Sequence, residues 1–204
     1  MERSFIETYT DALFGGQLHA KRLLSLNDGV EGLLKSATLG IHAIGRGLAS
    51  IHGLIQKHAI KQVDRLIGNK GLNIQGLTPG WISHSLRDLR EAKVNIDWTD
   101  FDSDDQAMVV IALQTGRGRS APLLWKTVSK AALKDRMREY EISLLEELRL
   151  SAPQDCKITV IADRGFASIE LLDYLHESGF NYIVRFKANF KITNSKDITK
   201  TASE

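Results

Sequence analysis

The chain has 204 residues, 43% of them hydrophobic and 25% charged, with a net charge of +2. That is enough length for a sizeable core, and the composition is that of a soluble globular protein rather than a fibrous or disordered one. A single cysteine, Cys156, excludes an internal disulfide framework and a thiolate zinc site, and fits a reducing cytoplasm. No apolar run approaches the ~20 residues needed to span a bilayer, and the acidic start lacks the basic-then-apolar order of a signal peptide.

Residues 1–90 carry helical patterns and form the first predicted region. Between Lys35 and Lys93 lie nine basic residues and three acidic ones, Asp64, Asp88 and Glu91, a local balance of nine minus three, or +6. The small total charge therefore hides a basic block, the usual footprint of phosphate binding. In Thr38 to Ser50, Ile41, Ile44 and Leu48 recur at helical spacing, and Gly45 and Gly47 weaken the helix or admit a close neighbour. In Lys57 to Gly71, Ile60, Val63 and Ile67 form an apolar face. Lys57, Lys61 and Arg65 fall at i, i+4 and i+8 and form a basic stripe on another face. Gly68 and Asn69 supply a stop. Two short helices joined by a turn, the second amphipathic and basic, form a helix-turn-helix-like unit. Lys57, Lys61, Arg65 and Arg46 are the candidate DNA contacts; the alternative is a solvated helix face. His42, His52, His58 and His84 stand at no metal-ligand spacing. Gly76 to Trp81, GLTPGW, reads as a boundary or linker.

From residue 91 to 190 the period changes. Val94, Ile96 and Trp98 alternate with polar residues and predict a first strand that carries Asp97. Gln106 to Gln114 is a second strand, TGRGRS a hairpin turn, and Ala121 to Ser129 a third strand. Ala131 to Leu150 reads as one amphipathic helix with Leu133, Met137, Ile142, Leu145 and Leu148 inward. The apolar run Ile158 to Ala162 predicts a buried fourth strand ending in Asp163. Ser168 to Ser178 is a second helix, and Asn181 to Asn189 a fifth strand. Residues 191–204 form a polar tail.

The fold class is thus α/β, in the order β-β-β-α-β-α-β. This is the order of an incomplete ribonuclease-H-like core, in which the first and fourth strands are neighbours. Asp97 and Asp163 then meet across 66 positions of sequence. Facing carboxylates repel unless a cation lies between them, and Mg²⁺ takes oxygen ligands from carboxylates and phosphates. Two such ions stabilise the attacking and leaving oxygens of phosphoryl transfer. On its own Asp163 reads equally as a helix N-cap. Asp100, Asp102, Asp104 and Asp105 fit a solvated turn. Asp97-x-Thr99 is also the pattern of aspartyl-nucleophile phosphatases, but a hairpin rather than a helix follows it.

KHAIKQVDRLIGN, VNIDWTDFD and ITVIADRGFASIELLDYLHESGFNYIVRFKAN resemble DNA transposases of the IS4 family, which carry a DDE catalytic triad. The resemblance covers most of residues 33–190, and Asp163-Arg164-Gly165-Phe166 with the following helix and Tyr-Ile-Val-Arg strand is its specific part. It implies cut-and-paste transposition with Asp97 and Asp163 as the first two catalytic, metal-binding acids and Mg²⁺ in a two-metal site. It also implies double-stranded DNA partners, namely the transposon inverted-repeat ends and target DNA. A homodimer or a full-length transposase is the implied protein partner, and the bacterial nucleoid the place of action. The family's third acid is a Glu in a Tyr-x-x-Arg-x-x-x-Glu-x-x-x-x-x-x-Lys motif, which the tail KITNSKDITKTASE does not carry. The expectation is a truncated, catalytically incomplete transposase. The alternative is a non-catalytic DNA-binding protein that occupies transposon ends and inhibits a full-length copy.

Overall fold

A computed structural model describes residues 4–116, 118–188, 191–193 and 197–201. The chain divides into two compact units, Met1–Gly80 and Trp81–Glu204.

The first unit is helical. Helix α1 (Phe5–Phe14) opens with a capping box, in which Ser4 and Glu7 each satisfy the other's backbone N–H. Helix α2 (Ala20–Ser36) ends at Ala37 in the left-handed region. Helices α3 (Ile41–His52) and α4 (Gln56–Ile67) are joined by a turn through Gly53, at φ 65°. Ile44, Leu48, Ala49, Ala59 and Val63 form the core of this unit. Its glycines set the spacing. A Cβ on Gly45 would stand 2.5 Å from the Ile60 Cα, and one on Gly47 2.5 Å from the Gly32 carbonyl oxygen. Both therefore serve close helix approach, one of the two roles read from sequence. Ile67 is not on the inward face; this last residue of α4 is 60% exposed.

The boundary between the two units falls within GLTPGW, after Gly80, as the sequence reading expected, but the segment is helical rather than a loose linker and belongs to helix α5 (Ile74–Leu86). The Asn73 side chain accepts the Gly76 N–H at 3.1 Å and starts the helix. Pro79 removes one helical hydrogen bond, a loss of about 3 kcal/mol in a helix interior. Ile82 and Leu86, one turn apart and fully buried in the core of the second unit, offset it.

The second unit is built on a five-stranded sheet in the order β3-β2-β1-β4-β5. Its strands are β1 (Glu91–Phe101), β2 (Gln106–Gln114), β3 (Ser120–Ser129), β4 (Lys157–Ala162) and β5 (Asn181–Val184). β1 pairs antiparallel with β2 and parallel with β4, so the first and fourth strands are neighbours as the sequence reading expected. Period-two burial decides the faces. Ala92, Val94 and Ile96 pack with Ile158, Val160 and Ala162 against helices α7 (Met137–Ser151) and α8 (Ile169–Glu177). Asn95, Asp97 and Ile161 point to the other face.

Three expectations are corrected. The long helix Ala131–Leu150 is broken into α6 (Lys130–Leu133) and α7, because Asp135 takes a left-handed φ of 59°. The buried stripe of α7 is Glu141, Leu144, Leu145 and Leu148, whereas Met137 is exposed. The fifth strand ends at Val184 rather than Asn189, which lies outside the described residues. Within the predicted polar tail, β6 (Lys191–Thr193) and β7 (Thr199–Thr201) pair as a small antiparallel sheet.

Candidate functional site

The parallel register of β1 and β4 closes at Ile96 opposite Ala162. The next residue of each strand is an aspartate, Asp97 and Asp163. Asp97 sits within β1, still paired with Val110 of β2, and is exposed where β4 stops. Asp163 stands at the C-terminal end of β4, where the chain leaves the sheet. Both carboxylates line an open cleft of about 780 Å³ together with Asn95, Ile161, Ile183 and Arg185.

Each aspartate is held by a backbone donor. The Trp98 N–H donates to Asp97 Oδ1 at 2.9 Å. The Gly165 N–H donates to Asp163 Oδ1 at 2.7 Å and closes the 3-10 turn Arg164–Phe166. The capping reading of Asp163 is therefore correct for this turn. It does not hold for α8, whose cap is Ser168, accepting from the Leu171 N–H.

Two carboxylates side by side, with only oxygen donors, fit a hard divalent cation such as Mg²⁺. Arg185 is held in place by its own backbone: its N–H donates to the Ala162 carbonyl at 3.1 Å, carrying β5 alongside β4. A guanidinium on this lining suits a phosphate oxygen. The sequence reading did not place Arg185 or Asn95 here; strand order brings Arg185 to the cleft, whereas Asn95 shares the face of Asp97 through the period-two alternation of β1.

Behind the cleft lies a buried carboxylate, Glu141, 1% exposed. Its Oε1 accepts from the Trp98 indole N–H at 2.8 Å, and its Oε2 from Arg138 Nη1. Arg138 Nη2 donates to the Gly165 carbonyl at 2.6 Å, and the guanidinium lies over the Phe166 ring, 5.9 Å from its centroid. Burial pushes the Glu141 carboxyl up from the ordinary range, opposed by the Trp98 and Arg138 donors. The sequence reading missed this group. Its signal was an acid at the position of an apolar stripe, three, four and seven residues before Leu144, Leu145 and Leu148.

Asp102, Asp104 and Asp105 fall in the turn that the sequence reading expected, whereas Asp100, expected there too, lies within β1 opposite Ala107. Asp100 and Asp102 pair with Lys130, and Asp104 closes a 3-10 turn. On the first unit, Arg46 of α3 and Lys57, Lys61 and Arg65 of α4 are exposed. His52, read as lying at no ligand spacing, meets Asp28 and Glu31 of α2, their ligand atoms all within 4.8 Å of one another. Its Nε2 lies 2.7 Å from Glu31 Oε2, while Asp28 accepts from Gln62 at 2.5 Å.

Residues 106–203 match the family model of the transposase DDE domain. The match supports a DDE transposase family for this chain and takes in Asp163, beginning just past Asp97. No curated protein matches the chain. The mixed sheet and its helices are compatible with the ribonuclease-H-like fold of transposase DDE domains, which use divalent metals. Among the described residues no helix is long and apolar enough to cross a membrane.

Proposed function

We propose that the chain is a transposase of the IS4 family whose Asp97 and Asp163 hold Mg²⁺ for cutting and joining DNA strands. The observation that carries this reading is the position of the two aspartates, each one residue past the last parallel pair of adjacent strands. The transposase DDE domain match supports it independently.

The chain's own residues have distinct tasks. Asp97 and Asp163 bind the metal through carboxylates already oriented by backbone N–H groups. Arg185 faces the same cleft and neutralises a phosphate oxygen of the bound strand. Lys57, Lys61, Arg65 and Arg46 contact the phosphates of the transposon end, so residues 1–90 bind DNA and residues 91–190 carry the chemistry. When bound, Mg²⁺ supplies Lewis-acid stabilisation of the oxygens that attack and leave phosphorus.

The test is Mn²⁺ binding followed by electron paramagnetic resonance, with Mg²⁺ as competitor. Tight binding in the unaltered chain that is lost in both Asp97→Asn and Asp163→Asn is expected. Equal binding by all three proteins would overturn the metal assignment.

A second reading is a DNA-binding protein that occupies transposon ends without cutting. It is favoured by the exposed basic stripe on α4. Binding to the inverted repeat in EDTA, together with absence of strand cleavage in Mg²⁺, would select it.

A further inference from the structure

We propose that Glu141 is a positioning residue that orients Asp97 and Asp163 together, through one unbroken run of hydrogen bonds. This rests on the reading of the two aspartates as metal ligands.

The run has five links. Asp97 Oδ1 accepts from the Trp98 backbone, and the Trp98 indole donates to Glu141. Arg138 bridges Glu141 to the Gly165 carbonyl. The Gly165 N–H then donates to Asp163 Oδ1. Trp98 and Gly165 each use two groups, one on the ligand side and one on the Glu141 side. The residue next to Asp97 and the turn next to Asp163 are thus fastened to a single buried carboxylate on α7.

The energetics favour a role in geometry. A buried ion pair is weak evidence for stability, and an apolar side chain of similar volume in its place is often neutral or stabilising. An acid at 141 is therefore poorly explained as core packing, since Leu144, Leu145 and Leu148 already fill that face. What the carboxylate adds is two strong directional bonds, one to Trp98 of β1 and one to Arg138 on its own helix, whose guanidinium it aims at the Gly165 turn. Two neighbouring aspartates repel, and each would turn away from the other unless its surroundings prevented it. The Arg138 contact with the Phe166 ring holds the turn against the same helix. Partners behind metal ligands typically change metal affinity about 10–100-fold when removed.

The experiment measures Mn²⁺ affinity by paramagnetic resonance on the full chain, for the unaltered protein, Glu141→Gln, Trp98→Phe, Arg138→Lys and Asp163→Asn. Circular dichroism melts select the variants that are folded at the assay temperature. Trp98→Phe removes a single hydrogen bond at a half-buried site and keeps the test alive if Glu141→Gln does not fold. About 10-fold weaker binding or more is expected in Glu141→Gln and Trp98→Phe. A variant combining Glu141→Gln with Trp98→Phe should bind no more weakly than Glu141→Gln alone, because a run broken once is already broken. Arg138→Lys, which keeps the charge but not the fork, should fall between. Folded variants that bind Mn²⁺ as the unaltered chain does, while Asp163→Asn does not, would overturn the positioning role and leave the metal reading standing. Binding by Asp163→Asn equal to that of the unaltered chain would remove the metal reading and the positioning role with it.

Discussion

The indole N–H of Trp98 donates to the buried carboxylate of Glu141 at 2.8 Å, across 43 positions of sequence. Trp98 lies on the inward face of β1 and Glu141 on the inward face of α7, so the bond ties the sheet to the helix. Trp98→Phe keeps an aromatic ring, smaller than the indole, but leaves one Glu141 oxygen without its donor. The expected loss is about 1–3 kcal/mol of unfolding free energy, read by urea denaturation near neutral pH. A loss below about 0.5 kcal/mol would mean that water replaces the indole donor.

Helix α3 approaches α4 through Gly45, and the space is closed to any side chain. Alanine there gains about 1 kcal/mol of helix propensity. Its Cβ would nevertheless stand 2.5 Å from the Ile60 Cα, and backbone atoms yield only by moving a whole helix. Overpacking of this kind costs about 1–3 kcal/mol, so Gly45→Ala should destabilise the chain despite the better propensity. A raised melting temperature in a calorimetric scan would contradict the close approach.

The basic stripe of α4 gives a salt signature. Lys57, Lys61 and Arg65 are exposed, and none has an acidic partner among the described residues. If all three neutralise phosphates, replacing each by alanine should lower the slope of log affinity against log salt by about 0.9 on duplex DNA. Fluorescence anisotropy at several salt concentrations measures it. An unchanged slope in the triple variant would assign the stripe to solvent.

Glu146 gives a pH signature. Arg149 first, then the Tyr174 hydroxyl at 2.7 Å, hold its carboxyl down at about 2, against an ordinary value of 4.5. A carboxyl lowered in the folded state binds its proton more readily when unfolded. Its contribution is therefore present above pH 4.5 and fades as the pH falls towards 2. Glu146→Gln should melt below the unaltered chain at pH 7 and approach it at pH 2.5 to 3. A gap between the two that does not narrow with acid would rule out the carboxylate as its source.

Local rules were enough wherever one physical signal acted alone. Period-two alternation in Val94, Ile96 and Trp98 and the apolar run Ile158–Ala162 identified β1 and β4. That β1 and β4 are neighbours was implied by the likeness of the element order to a ribonuclease-H-like core, and the sheet order agrees with it. The sequence reading failed where tertiary packing opposed a local signal. Pro79 and its neighbouring glycines marked the boundary between the units, but they did not break the helix there, because burial of Ile82 and Leu86 outweighed the missing hydrogen bond. Residues Ala131 to Leu150 showed one helical period, yet the backbone turns left-handed at Asp135.

The sequence by itself placed Asp97 on one strand and Asp163 at the end of another, and the likeness of the element order to a ribonuclease-H-like core implied that those two strands pair. Only the tertiary structure decided what surrounds them. A hydrogen bond between Trp98 and Glu141, or a guanidinium reaching Gly165, depends on how α7 lies on the sheet. No periodicity encodes that angle. It is set by the packing of Leu144, Leu145 and Leu148 against the strands, and it carries a buried acid to the back of the site.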